Sequence, residues 1–127
     1  MSGELESVAS ELISALDSMD VDRMMDAAGE DAQGVDEISR RWLRGRDELD
    51  AYLRQLTEAV SGIRTELRDT HERIWGDTGV LTGWLEQDYT MDGNAQHISA
   101  PTTIVFHREG GEWKLALFHS IPLPEQP

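Results

Sequence analysis

The sequence predicts an α+β fold, with three N-terminal helices packed on a strongly curved antiparallel sheet. Three observations carry that expectation. Apolar residues recur at helical spacing through the first half of the chain, as far as Val60. After Gly62 the texture changes to β-rich runs separated by turn signals. Two of those runs are about twice the usual strand length, and long strands in a small domain must twist and bend.

The first helix is read from Leu5, Val8, Ala9, Leu12, Ile13 and Leu16, which share one face. Ser2 is its expected N-cap, and Glu4 and Glu6 suit the positive end of the helix dipole. Asp17 to Asp22 interrupts the pattern, and Asp20 is placed to cap a short second helix carrying Met24, Met25 and Ala28. Gly29 and Gly34 release the chain, and Val35 to Ile38 reads as a short strand. A third helix follows Gly45, on Leu49, Tyr52, Leu53, Leu56 and Val60.

The strand runs are Ile63–Trp75, Val80–Met91, Pro101–Arg108 and Trp113–Ile121. Gly76-Asp77, Asp92-Gly93-Asn94 and Gly110-Gly111 separate them. Turns this short imply an antiparallel meander, with the helices over its concave side. Residues 1–127 read as one domain, with a loose proline-containing tail from about 122.

Composition narrows the function classes. With 25 acidic and 11 basic residues the net charge is −14, and the acidic residues are spread along the whole chain. Such a surface repels phosphate backbones and anionic membranes, so neither nucleic acid nor membrane is an expected partner. Without cysteine, disulfides, thiolate zinc sites and cysteine nucleophiles are excluded. Met1 to Glu6 has no apolar signal region, and no apolar run approaches the roughly 20 residues of a membrane span, so the expected location is cytoplasmic. No phosphate-binding glycine loop, nucleophile elbow or His-Glu-x-x-His motif is present, and no cofactor is expected.

The C-terminal half carries a family resemblance. Thr103-Ile104-Val105-Phe106-His107-Arg108, then Gly111, Trp113 and Phe118-His119-Ser120, resembles the closing hairpin of the SnoaL-like and kinase-association group of the nuclear transport factor 2-like superfamily. With the helices, the resemblance runs from Leu5 to Pro124. It implies a cone-shaped α+β barrel with an interior open at one end, and a homodimer through the outer sheet face.

In the same superfamily, Asp20-Val21-Asp22, Asp31-Ala32 and Asp36 resemble the stretch leading to the catalytic base of ketosteroid isomerase, and Asp36 falls on the base position. A carboxylate at the rim of an apolar cavity can abstract a proton beside a carbonyl. The reaction also needs a donor for the developing oxyanion, and Leu12 stands where that enzyme keeps its tyrosine. The plainer reading of Asp36 is a turn cap. His71 and Glu86 are the candidate proton partners of Asp36.

Strand alternation, aligned by the same resemblance, turns Ile104, Phe106, Phe118 and Ser120 toward the cavity, together with Trp84 and Glu86. Trp42 is a further candidate wall. Ile104 and Ser120 stand where the kinase association domain carries arginines, which points to an uncharged ligand. The outward set is then Val105, His107, Leu115, Leu117 and His119, an apolar face suited to a second copy. His71, His97, His107 and His119 include no helical metal pair; three could sit on neighbouring strands, which spacing alone leaves open to a metal, but each reads as a structural histidine and no metal is expected.

The sequence thus predicts an apolar cavity that binds a small uncharged organic molecule. The alternatives are an isomerase-, cyclase- or dehydratase-type enzyme using Asp36 as general base, and a homodimeric interaction module whose cavity is filled by its own side chains.

Overall fold

The computed structural model describes residues 3–124. The elements run α1 (Glu4–Asp17), α2 (Val21–Asp26), β1 (Ala28–Asp36), β2 (Leu43–Arg44), α3 (Arg46–Ala59), β3 (Val60–Trp75), β4 (Thr78–Met91), β5 (Asn94–Glu109) and β6 (Glu112–Ser120). The strands form one six-stranded sheet in the order β2-β1-β6-β5-β4-β3. The meander from β3 to β6 is antiparallel, as the short turns imply.

The N-terminal strands depart from expectation. The chain from Ala28 to Asp36 is extended throughout, where the sequence suggested only a short strand at Val35–Ile38. β1 pairs parallel with β6, so the sheet is mixed rather than purely antiparallel. It is open, with β2 and β3 at its edges, and does not close into a barrel. The parallel pairing brings Asp36, the last residue of β1, opposite Ser120, the last residue of β6.

α1 is held at its start from across the fold. Gly3, not Ser2, is the N-cap, and Ser2 lies outside the described residues, as do the last three of the tail. The Glu72 carboxylate on β3 accepts the N–H groups of Leu5 and Glu6 at 3.2 and 3.1 Å. It thereby satisfies donors that a helix leaves open at its first turn. A Cβ on Gly3 would overlap that carboxylate, so the absence of a side chain there lets Glu72 approach. Leu5 and Ala9 then pack with Leu81, Ile104, Phe106 and Trp113 of the sheet. Asp20 caps α2 as expected, accepting from the Arg23 N–H at 3.2 Å.

Local irregularities interrupt the register of the sheet. β3 carries two register shifts, between Ser61 and Arg64 and between Arg68 and His71. Gly62 (φ 62°) and Asp69 (φ 56°) lie inside them, in the left-handed region typical of bulges. A third shift, between Val105 and Phe106 on β5, sets Val105 opposite Leu117 and Phe106 opposite Leu115. Ala116 is therefore the extra residue on β6, and side chains before and after it change parity.

No helix is long and apolar enough to cross a membrane among the described residues.

Candidate functional site

The end of β1 and the middle of α3 meet at one side-chain pair. Tyr52 belongs to the apolar stripe of α3 and is half-buried, so its hydroxyl needs a partner. It donates to the Asp36 carboxylate, 2.9 Å from each oxygen. Asp36 Oδ1 also accepts the N–H groups of Ile38 and Ser39 at 3.0 and 2.8 Å. Asp36 therefore does cap the turn that follows β1, and it lines a cavity as well. Burial and the Asp36 charge together push the Tyr52 hydroxyl far above its ordinary range, so it stays a donor.

Glu37 lines the same cavity. Tyr89 of β4, 7 % exposed, lies near the Glu37 carboxyl. Burial, and then the neighbouring Asp36 charge, push the Glu37 carboxyl up to about 7. The carboxyl groups of two consecutive residues, Asp36 and Glu37, thus form the polar end of the cavity.

The rest of the cavity, about 160 Å³ in volume, is mostly apolar. Leu12 and Leu16 of α1, Met24 and Met25 of α2, Leu49 and Leu53 of α3, and Leu85, Ile104, Leu115 and Phe118 of the sheet wall it. Met24 and Met25 are at once buried core residues and cavity lining. Two further polar groups are satisfied within the protein. Gln87 donates Nε2 to Thr65 Oγ1 at 3.0 Å, and Ser120 Oγ lies 2.8 Å from Thr102 Oγ1. Lysine, arginine and histidine are absent from the lining among the described residues.

Of the residues the sequence singled out, the structure gathers Asp36, Ile104, Phe118 and Ser120 around this cavity. Phe106 shares the inward face, is fully buried, and packs against α1 rather than lining the space. Trp84 and Glu86 require correction. Leu81, Leu85, Gln87 and Tyr89 have the inward parity of β4, so Trp84 and Glu86 face the other side. There Trp84 lies under the Arg68 guanidinium at 5.9 Å. Glu86 Oε1 accepts from Arg68 Nε and Nη2 at 2.9 and 2.7 Å and from Ser99 Oγ at 3.0 Å. The Arg68 hydrogen bonds hold that carboxyl below its ordinary range, which suits an ion pair and not a proton carrier.

His71 is also outside the cavity. Its side chain is 83 % exposed beside Asp69, beyond the second β3 bulge. Trp42 is 40 % exposed, with Arg44 5.5 Å above its ring and the His119 ring 6.0 Å away. It lies in the β1–β2 connection and lines no part of this cavity. Leu115, expected to face outward, lines the cavity because the Ala116 bulge inverts the parity before it. No cluster of three or more potential metal ligands occurs among the described residues.

Sequence reasoning missed Glu37, Tyr52 and Gln87 as site residues. Tyr52 carried a signal: a tyrosine on the buried stripe of a helix must find a hydrogen-bond partner. Tyr89 carried the same one, since it shares the parity of Leu81 and Leu85.

Comparison with known proteins supports the architecture. The SnoaL-like domain profile matches residues 5–124. The fold superposes with a TM-score of 0.86 on a candidate dehydratase of the nuclear transport factor 2-like family from Streptomyces avermitilis, at 18 % identity over 96 % of both chains. A candidate calcium/calmodulin-dependent protein kinase II association domain from Xanthomonas campestris gives 0.84 at 20 % identity, covering 98 % of this chain and 91 % of that one. A ketosteroid isomerase-like protein from Erwinia carotovora atroseptica gives 0.80 at 16 % identity over 94 % of both chains. At these identities the likeness is one of fold. No curated protein matches the sequence. With the profile spanning all but the ends of the chain, this protein belongs to the SnoaL-like domain family.

Proposed function

We propose that this protein binds a small, neutral, largely apolar organic molecule in the cavity between the helices and the sheet. The observation that carries the reading is a space of about 160 Å³ with aliphatic and aromatic walls and one polar end. An apolar cavity of about 150 Å³ is large enough for benzene, so the fitting ligands are single rings or comparably small molecules. An anion would meet Asp36 with no cation in the lining to offset it. A thermal-shift titration with benzene tests the reading, since a saturating ligand raises stability by about 2.7 kcal/mol at a hundredfold excess over its Kd. Leu53→Trp, which fills the space from its partly exposed side, should abolish that shift while leaving the fold intact. Equal shifts in both proteins would place benzene elsewhere.

General acid–base catalysis is the second reading, favoured by the carboxyl groups of Asp36 and Glu37 in one cavity. It no longer includes His71 or Glu86, which lie outside that space. The family's structural neighbours include proteins named as a candidate dehydratase and as ketosteroid isomerase-like, which is consistent with such chemistry. Deuterium exchange at the carbons flanking the carbonyl of cyclohexanone, followed by NMR, would reveal it. Exchange at the uncatalysed rate would remove the reading.

The outer sheet face is proposed as the contact of a homodimer. Trp84, Val105, Leu117 and Ile121 are only half-buried and lie on or beside that face. Light scattering at micromolar concentration should give twice the chain mass, and a single chain mass would reject the contact.

A further inference from the structure

The donors and acceptors around the cavity are unequally committed. Asp36 accepts from the Tyr52 hydroxyl and from the Ile38 and Ser39 N–H groups, so its lone pairs are largely spent inside the protein. Thr102 Oγ1 donates to the Ala100 carbonyl at 3.0 Å, which leaves Ser120 to give its proton to Thr102. Gln87 commits its amide nitrogen to Thr65. Tyr52 gives its hydroxyl proton to Asp36. Glu37 differs: it lines the cavity, and its carboxyl is engaged by none of these hydrogen bonds.

The charges around Glu37 decide its state. The groups that act on it are Asp36 from β1, Tyr52 from α3 and Tyr89 from β4, none of them cationic. Two full negative charges side by side in an apolar cavity are costly, and a proton on one of them relieves the cost. Asp36 has three donors that suit an anion, so the proton belongs on Glu37.

We propose that the cavity selects neutral molecules bearing a hydrogen-bond acceptor, a carbonyl or ether oxygen, and that Glu37 binds them as the protonated acid. The inference rests on the reading of the cavity as a site for a small neutral molecule and adds the ligand's polar group and a linked proton. A protonated carboxyl donates to such an oxygen, whereas the carboxylate repels it. Ligand uptake then depends on the proton that burial and Asp36 keep on Glu37 up to a pH of about 7.

Three probes of one ring size test this by calorimetry from pH 5 to pH 8.5: benzene, cyclohexanone and cyclohexylamine. Cyclohexanone should bind with constant affinity at the acid end and lose about tenfold per pH unit above the Glu37 midpoint. Benzene should bind with little pH dependence. Glu37→Gln keeps an N–H donor without a titrating proton, so it should bind cyclohexanone with flat affinity, and its retained benzene binding reports an intact cavity. Benzene binding together with pH-independent cyclohexanone binding in the native chain would overturn the proposal. So would cyclohexylamine binding tighter than cyclohexanone, because that would make the site a cation receptor. If neither benzene nor cyclohexanone binds at any pH, the underlying reading of the cavity fails instead, and this proposal with it.

Discussion

The Tyr52 hydroxyl lies 2.9 Å from both carboxylate oxygens of Asp36, so a helix side chain and the last residue of β1 share one proton donor. The contact ties α3 to the β1–β6 pairing that sets Asp36 opposite Ser120. Because Asp36 also accepts two backbone N–H groups of the turn that follows, the pair fixes where the chain leaves the sheet. Tyr52→Phe should therefore destabilise the protein by about 1.5–3 kcal/mol, the usual range for a hydrogen bond to a charged group. Urea denaturation at neutral pH measures it, and a loss below about 0.5 kcal/mol would mean that water replaces the hydroxyl without cost.

Glu37 links stability to pH with a definite sign. Its carboxyl titrates near 4.5 ordinarily and about 7 in the folded protein, so the folded state holds the proton more tightly. Stability from this group is fully present below the ordinary value and is lost as pH rises toward 7 and above. A shift of that size corresponds to about 3 kcal/mol, reduced to on the order of 1–2 kcal/mol for a half-buried group partly screened by solvent. Glu37→Gln should gain that amount over the native chain at pH 8 and little near pH 4. A difference independent of pH would show that the group titrates normally.

The start of α1 depends on a residue of β3. Glu72→Ala leaves the N–H groups of Leu5 and Glu6 without their acceptor and should cost about 1 kcal/mol, as for loss of an N-cap side chain. Glu72→Gln, which keeps an acceptor and loses only the charge facing the helix dipole, should cost about half as much. Equal costs would assign the effect to packing alone.

The register of β4 predicts a contrast between neighbours. Leu85, 5 % exposed, lines the cavity, whereas Trp84 lies on the opposite face. Leu85→Ala should cost about 2–3 kcal/mol, the lower part of the range for buried leucine because the site already borders a cavity. Trp84→Ala, though it removes far more atoms, should cost less than Leu85→Ala. The reverse order in thermal or urea unfolding would restore the parity that the sequence alone suggested.

That reversed parity shows what the sequence could carry. The helices were legible because each has a continuous apolar stripe, from Leu5 to Leu16 in α1 and from Leu49 to Leu56 in α3. The meander was legible because glycine turns mark its hairpins. β1 was not, because Gly29, Glu30, Asp31 and Gln33 give it neither alternation nor β-branched residues before Val35. Its extension is imposed by parallel pairing with β6, a partner more than eighty residues away. In β4 the alignment by resemblance turned Trp84 and Glu86 inward, against the shared parity of Leu81, Leu85 and Tyr89, which are the buried set. In β6 the bulge at Ala116 leaves no mark in an otherwise regular run, so Leu115 was assigned the wrong face. Asp36 was found by resemblance, whereas Glu37 beside it acquires its character from burial and from the Asp36 charge, which act on it only in the folded chain.

The most direct test of the central claim is NMR of the methyl-labelled protein with benzene. Nuclear Overhauser contacts are predicted from benzene to the methyl groups of Leu12, Met24, Met25, Leu85 and Ile104, which wall the cavity from four different elements. They should be absent in Leu53→Trp. Contacts confined to surface methyl groups, or none at benzene saturation, would contradict the account of a ligand-binding interior.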